Sequence, residues 1–214
     1  MAEPRSVVVL GKGTLAIRVA GWFAESPNYD LVAVVPVMPE PTWTESLAEW
    51  ARASGVHIVE SGDYRALDVG TIDLAVSVFY DKILKADFID ACGRALNIHN
   101  APLPRYRGVS PINWALKNGE RMHGATIHEI TPGIDDGPIV AKVLYSIYPE
   151  TDEVIDVYER ALEYGWTLFE QTMPDLDRIE AEPQDEAEAT YYSRAHDELL
   201  EERRSFRRDQ VRVS

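Results

Sequence analysis

The stretch Ser6-Val-Val-Val-Leu10, followed at once by Gly11-Lys12-Gly13-Thr14, decides the fold of this chain. An uninterrupted apolar run of this kind predicts a strand that is buried on both faces, as in parallel sheets. The glycines predict a tight turn, and the amphipathic residues 15–23 predict a helix after it. Strand, turn and helix in this order indicate the first unit of an α/β domain.

Strands and helices continue to alternate along the first hundred residues. The further strands are predicted at residues 31–35, 56–59, 72–79 and 95–99, and the helices at 45–53 and 86–92. This alternation predicts an open, mostly parallel, twisted α/β sheet with right-handed crossovers and a Rossmann-like N-terminal half.

The second half of the sequence has a different pattern. It predicts a helix at 111–118 with Ser110 as its N-cap, strands at 124–130 and 139–147, and a long amphipathic helix at 152–173 capped by Thr151. We therefore expect a catalytic domain over residues 1–175. Residues 176–214 are expected to form an acidic linker and a short C-terminal helical tail, with helix-prone residues at 194–208.

The composition excludes several classes of protein. The 214 residues carry a net charge of −15, and residues 150–190 hold 14 Asp and Glu against two Arg. This surplus of negative charge argues against nucleic acid as a partner. No apolar run approaches the length of a membrane span, and a single cysteine with scattered histidines predicts no metal site. We expect a cytoplasmic enzyme without a membrane partner.

Asn97 and His99 are the strongest candidates for chemistry. Alternate side chains of a strand point to the same face, so both project together from the end of the strand predicted at 95–99. Downstream, Asp135 lies in the glycine-bounded turn Pro132-Gly-Ile-Asp-Asp-Gly137. An amide, an imidazole and a carboxylate together can support acyl chemistry without a nucleophilic residue.

The residues from Ala95-Leu-Asn-Ile-His99 through Ile134-Asp-Asp-Gly-Pro-Ile-Val-Ala141 resemble the 10-formyltetrahydrofolate-dependent formyltransferases. The resemblance covers roughly residues 6–175 and implies the formyltransferase fold, with 10-formyltetrahydrofolate as the formyl donor. It implies Asn97, His99 and Asp135 as catalytic residues, because the family's aspartate lies two residues before the glycine that Gly137 matches. The donor-binding residues that it implies are Phe79, Tyr80, Lys82, Ile83, Leu84, Ile130, Gly133, Ile134 and Asp136.

The acceptor is a small amine in every alternative that we consider for an enzyme. Residues 111–120 are similar to the sugar N-formyltransferases, which favours a nucleotide-linked amino sugar and is compatible with a homodimer. Glycinamide ribonucleotide and a hydroxyornithine-like precursor remain alternatives, as does a non-catalytic nucleotide-binding module that uses the glycine turn. That turn is either a steric necessity or a phosphate contact. The candidate acceptor-binding residues are Gly11, Lys12, Gly13, Arg105, Tyr106, Arg107 and Gly108.

Overall fold

The computed structural model describes residues 3–204. Its strands are β1 (Arg5–Gly11), β2 (Tyr29–Pro36), β3 (Ile72–Val78), β4 (Cys92–His99), β5 (Arg107–Gly108), β6 (Met122–Glu129), β7 (Ile139–Ser146) and β8 (Tyr191–Tyr192). Six of them form one sheet in the order β2-β1-β3-β4-β6-β7. The pairings from β2 to β4 are parallel, whereas β6 and β7 are antiparallel to their neighbours. The predicted α/β fold with an open sheet is confirmed.

The helices lie between these strands. They are α1 (Gly13–Glu25), α2 (Leu47–Ser54), α3 (Ala86–Ala91), α4 (Pro111–Lys117), α5 (Val154–Thr172) and α6 (Asp197–Arg204), with short 3-10 turns at Tyr64–Ala66, Met173–Arg178 and Arg194–His196. None of the helices within residues 3–204 combines the length and the apolar character that crossing a membrane requires.

Both faces of the sheet are covered, as the unbroken apolar run of β1 predicts. Val7 and Val9 belong to one buried cluster, to which α1, α2 and α5 contribute. Val8 and Leu10 point to the opposite cluster, where residues of β2 and β3 pack with Phe88 of α3. Alternating side chains of one strand thus fill two cores. The carboxyl ends of β1, β3 and β4 are left side by side at one edge of the sheet.

Three local predictions are wrong. Residues 56–59 form a single bridge, from Ile58 to Val34, because the chain turns away at Gly62 before a strand can extend. Helix α5 begins at Val154 with Glu153 as its N-cap, in a reciprocal capping box with Asp156, so Thr151 caps nothing. Ser110 occupies the N-cap position of α4 but its side chain makes no capping hydrogen bond.

Residues 179–196, which we call the C-terminal segment, lie against the rest of the fold. Glu182 forms a bridge with Ile139 of β7, and β8 pairs in parallel with β5. The Tyr192 ring stacks on Trp114 of α4, with 4.2 Å between ring centroids. The C-terminal segment, which follows the domain boundary predicted near residue 175, therefore packs against the domain that precedes it. Of the predicted helix at 194–208, residues 205–208 lie outside the described part of the chain.

Position 11 requires glycine because β1 and β3 lie close together there, with Gly11 paired to Val78. A Cβ atom at Gly11 would lie 2.0 Å from the carbonyl oxygen of Val78, a backbone atom that cannot move aside. We expect Gly11→Ala to lower the free energy of unfolding by about 3 kcal/mol, measured by urea denaturation. Gly55→Ala is the matched control, since Gly55 also has a positive φ but no atom within 4 Å of the added methyl group. Equal losses in the two variants would contradict this steric interpretation.

Candidate active site

Asn97 and His99 lie at the carboxyl end of β4, in the middle of the sheet. Asn97 is paired with Ser77 of β3 on one side and with His128 of β6 on the other. His99 is only 7% exposed. The switch from parallel to antiparallel pairing occurs at this strand, and ligands of open α/β sheets bind at such carboxyl ends.

The imidazole of His99 is held in one orientation. Its Nε2 lies 2.9 Å from the carbonyl oxygen of Tyr106, which can only accept a hydrogen bond, so Nε2 carries a proton. Nδ1 is thereby turned towards Asp135, 3.7 Å from Oδ2. A backbone carbonyl thus sets the ring orientation and leaves one nitrogen for the site.

Asp135 has a left-handed backbone conformation, with φ of 51°. Its Oδ2 accepts a hydrogen bond of 2.8 Å from the backbone N–H of Gly108, and its Oδ1 lies 3.4 Å from the amide nitrogen of Asn97. Burial would raise the pKa of this carboxyl group. Charge on His99, contacts with His128 and the Gly108 hydrogen bond together outweigh burial and hold the pKa of Asp135 well below its usual range.

His128 is a fourth polar residue of this cluster, which sequence reasoning missed. Its Nδ1 donates to the carbonyl oxygen of Glu129, and its Nε2 lies 3.1 Å from the Asn97 amide nitrogen and 3.6 Å from Asp135 Oδ1. His128 therefore contacts both the Asn97 amide and the Asp135 carboxylate. A strand is predicted at 124–130, but only the register of β6 on β4 places His128 beside Asn97.

His123 is a buried histidine with a different role. Burial lowers the pKa of His123 to about 4, and its Nε2 lies 2.8 Å from the carbonyl oxygen of Asn100. It is therefore neutral at neutral pH and supports the chain where it leaves β4.

The polar cluster opens into a cleft of about 710 Å³. Eight of the nine residues predicted to bind the donor line it: Phe79, Tyr80, Lys82, Ile83, Leu84, Ile130, Gly133 and Ile134. Tyr80 and Lys82 both donate to the carbonyl oxygen of Gly62. Asp136 is not among the lining residues, because its carboxylate accepts a hydrogen bond from the Thr131 hydroxyl group.

Of the residues predicted to bind the acceptor, Lys12 and Gly108 line the cleft. Gly11 and Gly13 do not, and the space that a Cβ atom would need is taken by Val78 and Thr44, respectively. The glycine turn is thus required for steric reasons.

Arg105, Tyr106 and Arg107, which the sequence predicts as acceptor-binding residues, are absent from the lining of the cleft. Arg105 pairs with Glu120, and the Tyr106 ring is 2% exposed in the core. Arg107 is buried and binds side chains of the C-terminal segment. Arg105 and Arg107, which could bind a ligand phosphate on sequence grounds, instead form ion pairs within the protein.

The model of the family described as "Formyl transferase" matches residues 39–173, more than half of the chain and a range that includes Asn97, His99 and Asp135. The chain belongs to the formyl transferase family.

Curated relatives agree with this assignment. The methionyl-tRNA formyltransferase of Fervidobacterium nodosum is 34% identical over 137 residues, which cover 64% of this chain and 41% of that protein. The corresponding enzyme of Thermosynechococcus vestitus is 39% identical over 123 residues, or 56% of this chain and 36% of that protein. The chain thus spans about two fifths of the length of these relatives.

Solved structures of formyl transferases share the fold. An N-formyltransferase from Helicobacter canadensis, in complex with folinic acid and dTDP-3-aminofucose, has a TM-score of 0.77 at 25% identity and covers 90% of this chain and 72% of its own. The formyltransferase PseJ from Anoxybacillus kamchatkensis has a TM-score of 0.65 at 22% identity, with coverage of 97% and 93%.

Further residues that sequence reasoning missed also line the cleft of this formyl transferase family member. Among them are Trp43, Ser77, Ser110, Asn113, Tyr158, Tyr191 and Arg194. They come from separate strands, loops and helices, so only the folded chain brings them together. Within residues 3–204, no group of His, Cys, Asp and Glu is arranged to hold a metal ion.

Proposed function

We propose that this protein transfers a formyl group from 10-formyltetrahydrofolate to the primary amine of a small acceptor, and that the acceptor is a nucleotide-linked amino sugar. The observation that carries the proposal is the convergence of Asn97, His99 and Asp135 on the wall of one cleft. A purely nucleotide-binding module would have no use for a buried, ionised carboxylate facing an oriented imidazole.

The cleft offers apolar side chains to the flat face of a donor ring. Ile83 and Ile134 line it, and their side chains are 56% and 40% exposed, which is unusual for large aliphatic residues at a concave site. Covering them with a ring system would remove apolar surface from water. Ile83, Leu84 and Ile134 would hold the ring of 10-formyltetrahydrofolate, which supplies the formyl carbon when bound.

The polar cluster supplies the groups that amine formylation requires. Asn97 and the protonated form of His99 offer N–H donors to an oxygen that gains negative charge as the amine attacks. The Asp135 carboxylate faces Nδ1 of His99 and can accept a proton from the attacking ammonium group, directly or through water. Because these groups are already positioned, little reorganisation is needed during the reaction.

The positive side chains of the cleft favour an acceptor that carries phosphate. All ten arginines between Arg5 and Arg178 form ion pairs, whereas Arg194 forms none with the side chains described within residues 3–200. Arg194 and Lys12 both line the cleft. In a chain with a net charge of −15, an unpaired guanidinium group at a ligand cleft suits a diphosphate. The Helicobacter canadensis neighbour, solved with dTDP-3-aminofucose, supports the same class of acceptor.

The identity to methionyl-tRNA formyltransferases makes a tRNA acceptor the main competitor. The charge of this chain opposes it, because a protein that binds RNA displaces counterions with basic surface. The homodimer and the cytoplasmic location stay predictions.

The proposed function is tested by assaying the purified chain with 10-formyltetrahydrofolate and a panel of amines. The panel contains nucleotide-linked amino sugars, glycinamide ribonucleotide, hydroxyornithine and methionyl-tRNA. We expect turnover with at least one nucleotide-linked amino sugar. Turnover of methionyl-tRNA alone, or of no amine while nucleotides bind tightly, would overturn the proposal.

Arg194 provides a specific prediction for the acceptor. We expect Arg194→Ala to raise KM for a phosphate-bearing acceptor about 10- to 100-fold, because one charge-assisted hydrogen bond contributes roughly 1.5–3 kcal/mol. The KM for 10-formyltetrahydrofolate should stay within about twofold. Arg178→Ala is the control, since Arg178 is highly exposed and pairs with Asp175 outside the cleft. An unchanged acceptor KM in Arg194→Ala would show that this guanidinium group does not bind phosphate.

A further inference from the structure

Gln184, in the C-terminal segment, contacts the loop that carries Asp135. Its Nε2 donates to two backbone carbonyl oxygens, that of Asp135 at 2.8 Å and that of Gly137 at 2.7 Å. Gln184 lies beyond residue 173, where the family match ends.

Arg107 binds the oxygen of the same Gln184 amide group. Oε1 of Gln184 accepts from Nε and Nη2 of Arg107, at 3.0 and 2.8 Å. Carbonyl oxygens only accept and a guanidinium group only donates, so the amide of Gln184 has one orientation that satisfies all four contacts. Arg107 is itself buried and also pairs with Glu186.

Asp135, Gln184, Arg107 and Gly108 are thus linked in a closed set of hydrogen bonds and chain connections. Gln184 holds the backbone carbonyl of Asp135, and Gly108, which follows Arg107 directly, donates its N–H to the Asp135 carboxylate. Asp135 has a positive φ, which is uncommon for a residue other than glycine and costs backbone energy unless the surroundings enforce it. Gln184 holds the backbone of Asp135 in this conformation, and Gly108 holds its side chain.

We propose that Gln184, braced by Arg107, is a positioning residue that holds Asp135 in its active geometry. The inference rests on the proposed function, in which Asp135 faces His99. Gln184 is absent from the lining of the cleft, so it acts only through Asp135. Its removal should therefore lower kcat and leave binding of both substrates unchanged.

The test compares Gln184→Met with Glu182→Met in the full-length chain. Glu182 is an exposed residue of the same segment, so the control introduces the same side chain two positions away. Gln184→Met is expected to lower kcat 10- to 100-fold with both KM values within about twofold. In a crystal structure of this variant, the hydrogen bond between Asp135 Oδ2 and Gly108 N should be lost. Glu182→Met should retain kcat and this bond.

Gln184→Glu is the second variant, should Gln184→Met not fold. It keeps an acceptor for Arg107 and removes both N–H donors, so the same fall in kcat is expected. Full kcat in a folded Gln184 variant, a fall in kcat with the Asp135–Gly108 bond intact, or equal losses in the Glu182 control would each overturn the proposal. If the wild-type chain turns over no amine, the proposed function fails, and the crystal structures alone decide whether Gln184 positions Asp135.

Discussion

Replacing His99 with alanine is expected to lower kcat for formyl transfer by roughly 1,000-fold. The structure leaves Nδ1 of this imidazole free to act in the site, because Nε2 is bonded to the Tyr106 carbonyl oxygen. Alanine removes the N–H donor and the partner of Asp135 together. The measurement is steady-state kcat with 10-formyltetrahydrofolate and the amine that the panel identifies.

The control for this variant is His57→Ala, which changes an exposed histidine outside the cleft and should leave kcat within twofold. Binding of the folate donor, measured by calorimetry, should persist in His99→Ala because the apolar wall around Ile83 is unchanged. A variant that keeps more than a tenth of the wild-type kcat would remove His99 from the proposed chemistry.

Asp135→Asn is the second variant expected to have a large effect, with kcat again lower by roughly 1,000-fold. Asparagine keeps the size of the side chain and can still accept from the Gly108 N–H through its amide oxygen. The negative charge that faces His99 is lost. Because the pKa of Asp135 is held well below its usual range, the wild-type carboxylate stays ionised from pH 5 to 8. The asparagine variant should therefore be impaired throughout this range.

Rates from pH 5 to 8 for wild type and Asp135→Asn test this expectation. Asp175→Asn, an exposed aspartate outside the cleft, serves as the matched control. Recovery of the Asp135→Asn rate at either end of the range would show that the charge of this residue is not what the reaction needs.

The fold and the centre of the site were predictable because their signals are local. Unbroken apolar runs and glycine turns identify the parallel strands, and alternation along one strand places Asn97 and His99 on one face. The position of His128 was not predictable, since it depends on the register of β6 against β4. A shift of one residue would have turned that imidazole to the other face.

The loop after β4 shows a second limit. Arg105 and Arg107 are residue types that bind phosphate, yet their partners are Glu120, Gln184 and Glu186, which lie 15 to 79 positions further along the chain. Whether an arginine is free for a ligand depends on such long-range pairing. Arg194 has no feature in the sequence that distinguishes it from them, and only the folded chain shows it at the cleft.

The course of the C-terminal segment has a consequence for how acceptor preference can diverge in evolution. Tyr191 and Arg194 form part of the cleft wall but lie after residue 173, outside the range that matches the family, whereas Asn97, His99 and Asp135 lie within it. Mutations in the segment can therefore change this part of the cleft wall while Asn97, His99 and Asp135 are conserved independently. Gln184 limits that freedom, because a substitution at this position would remove its hydrogen bond to the backbone of Asp135.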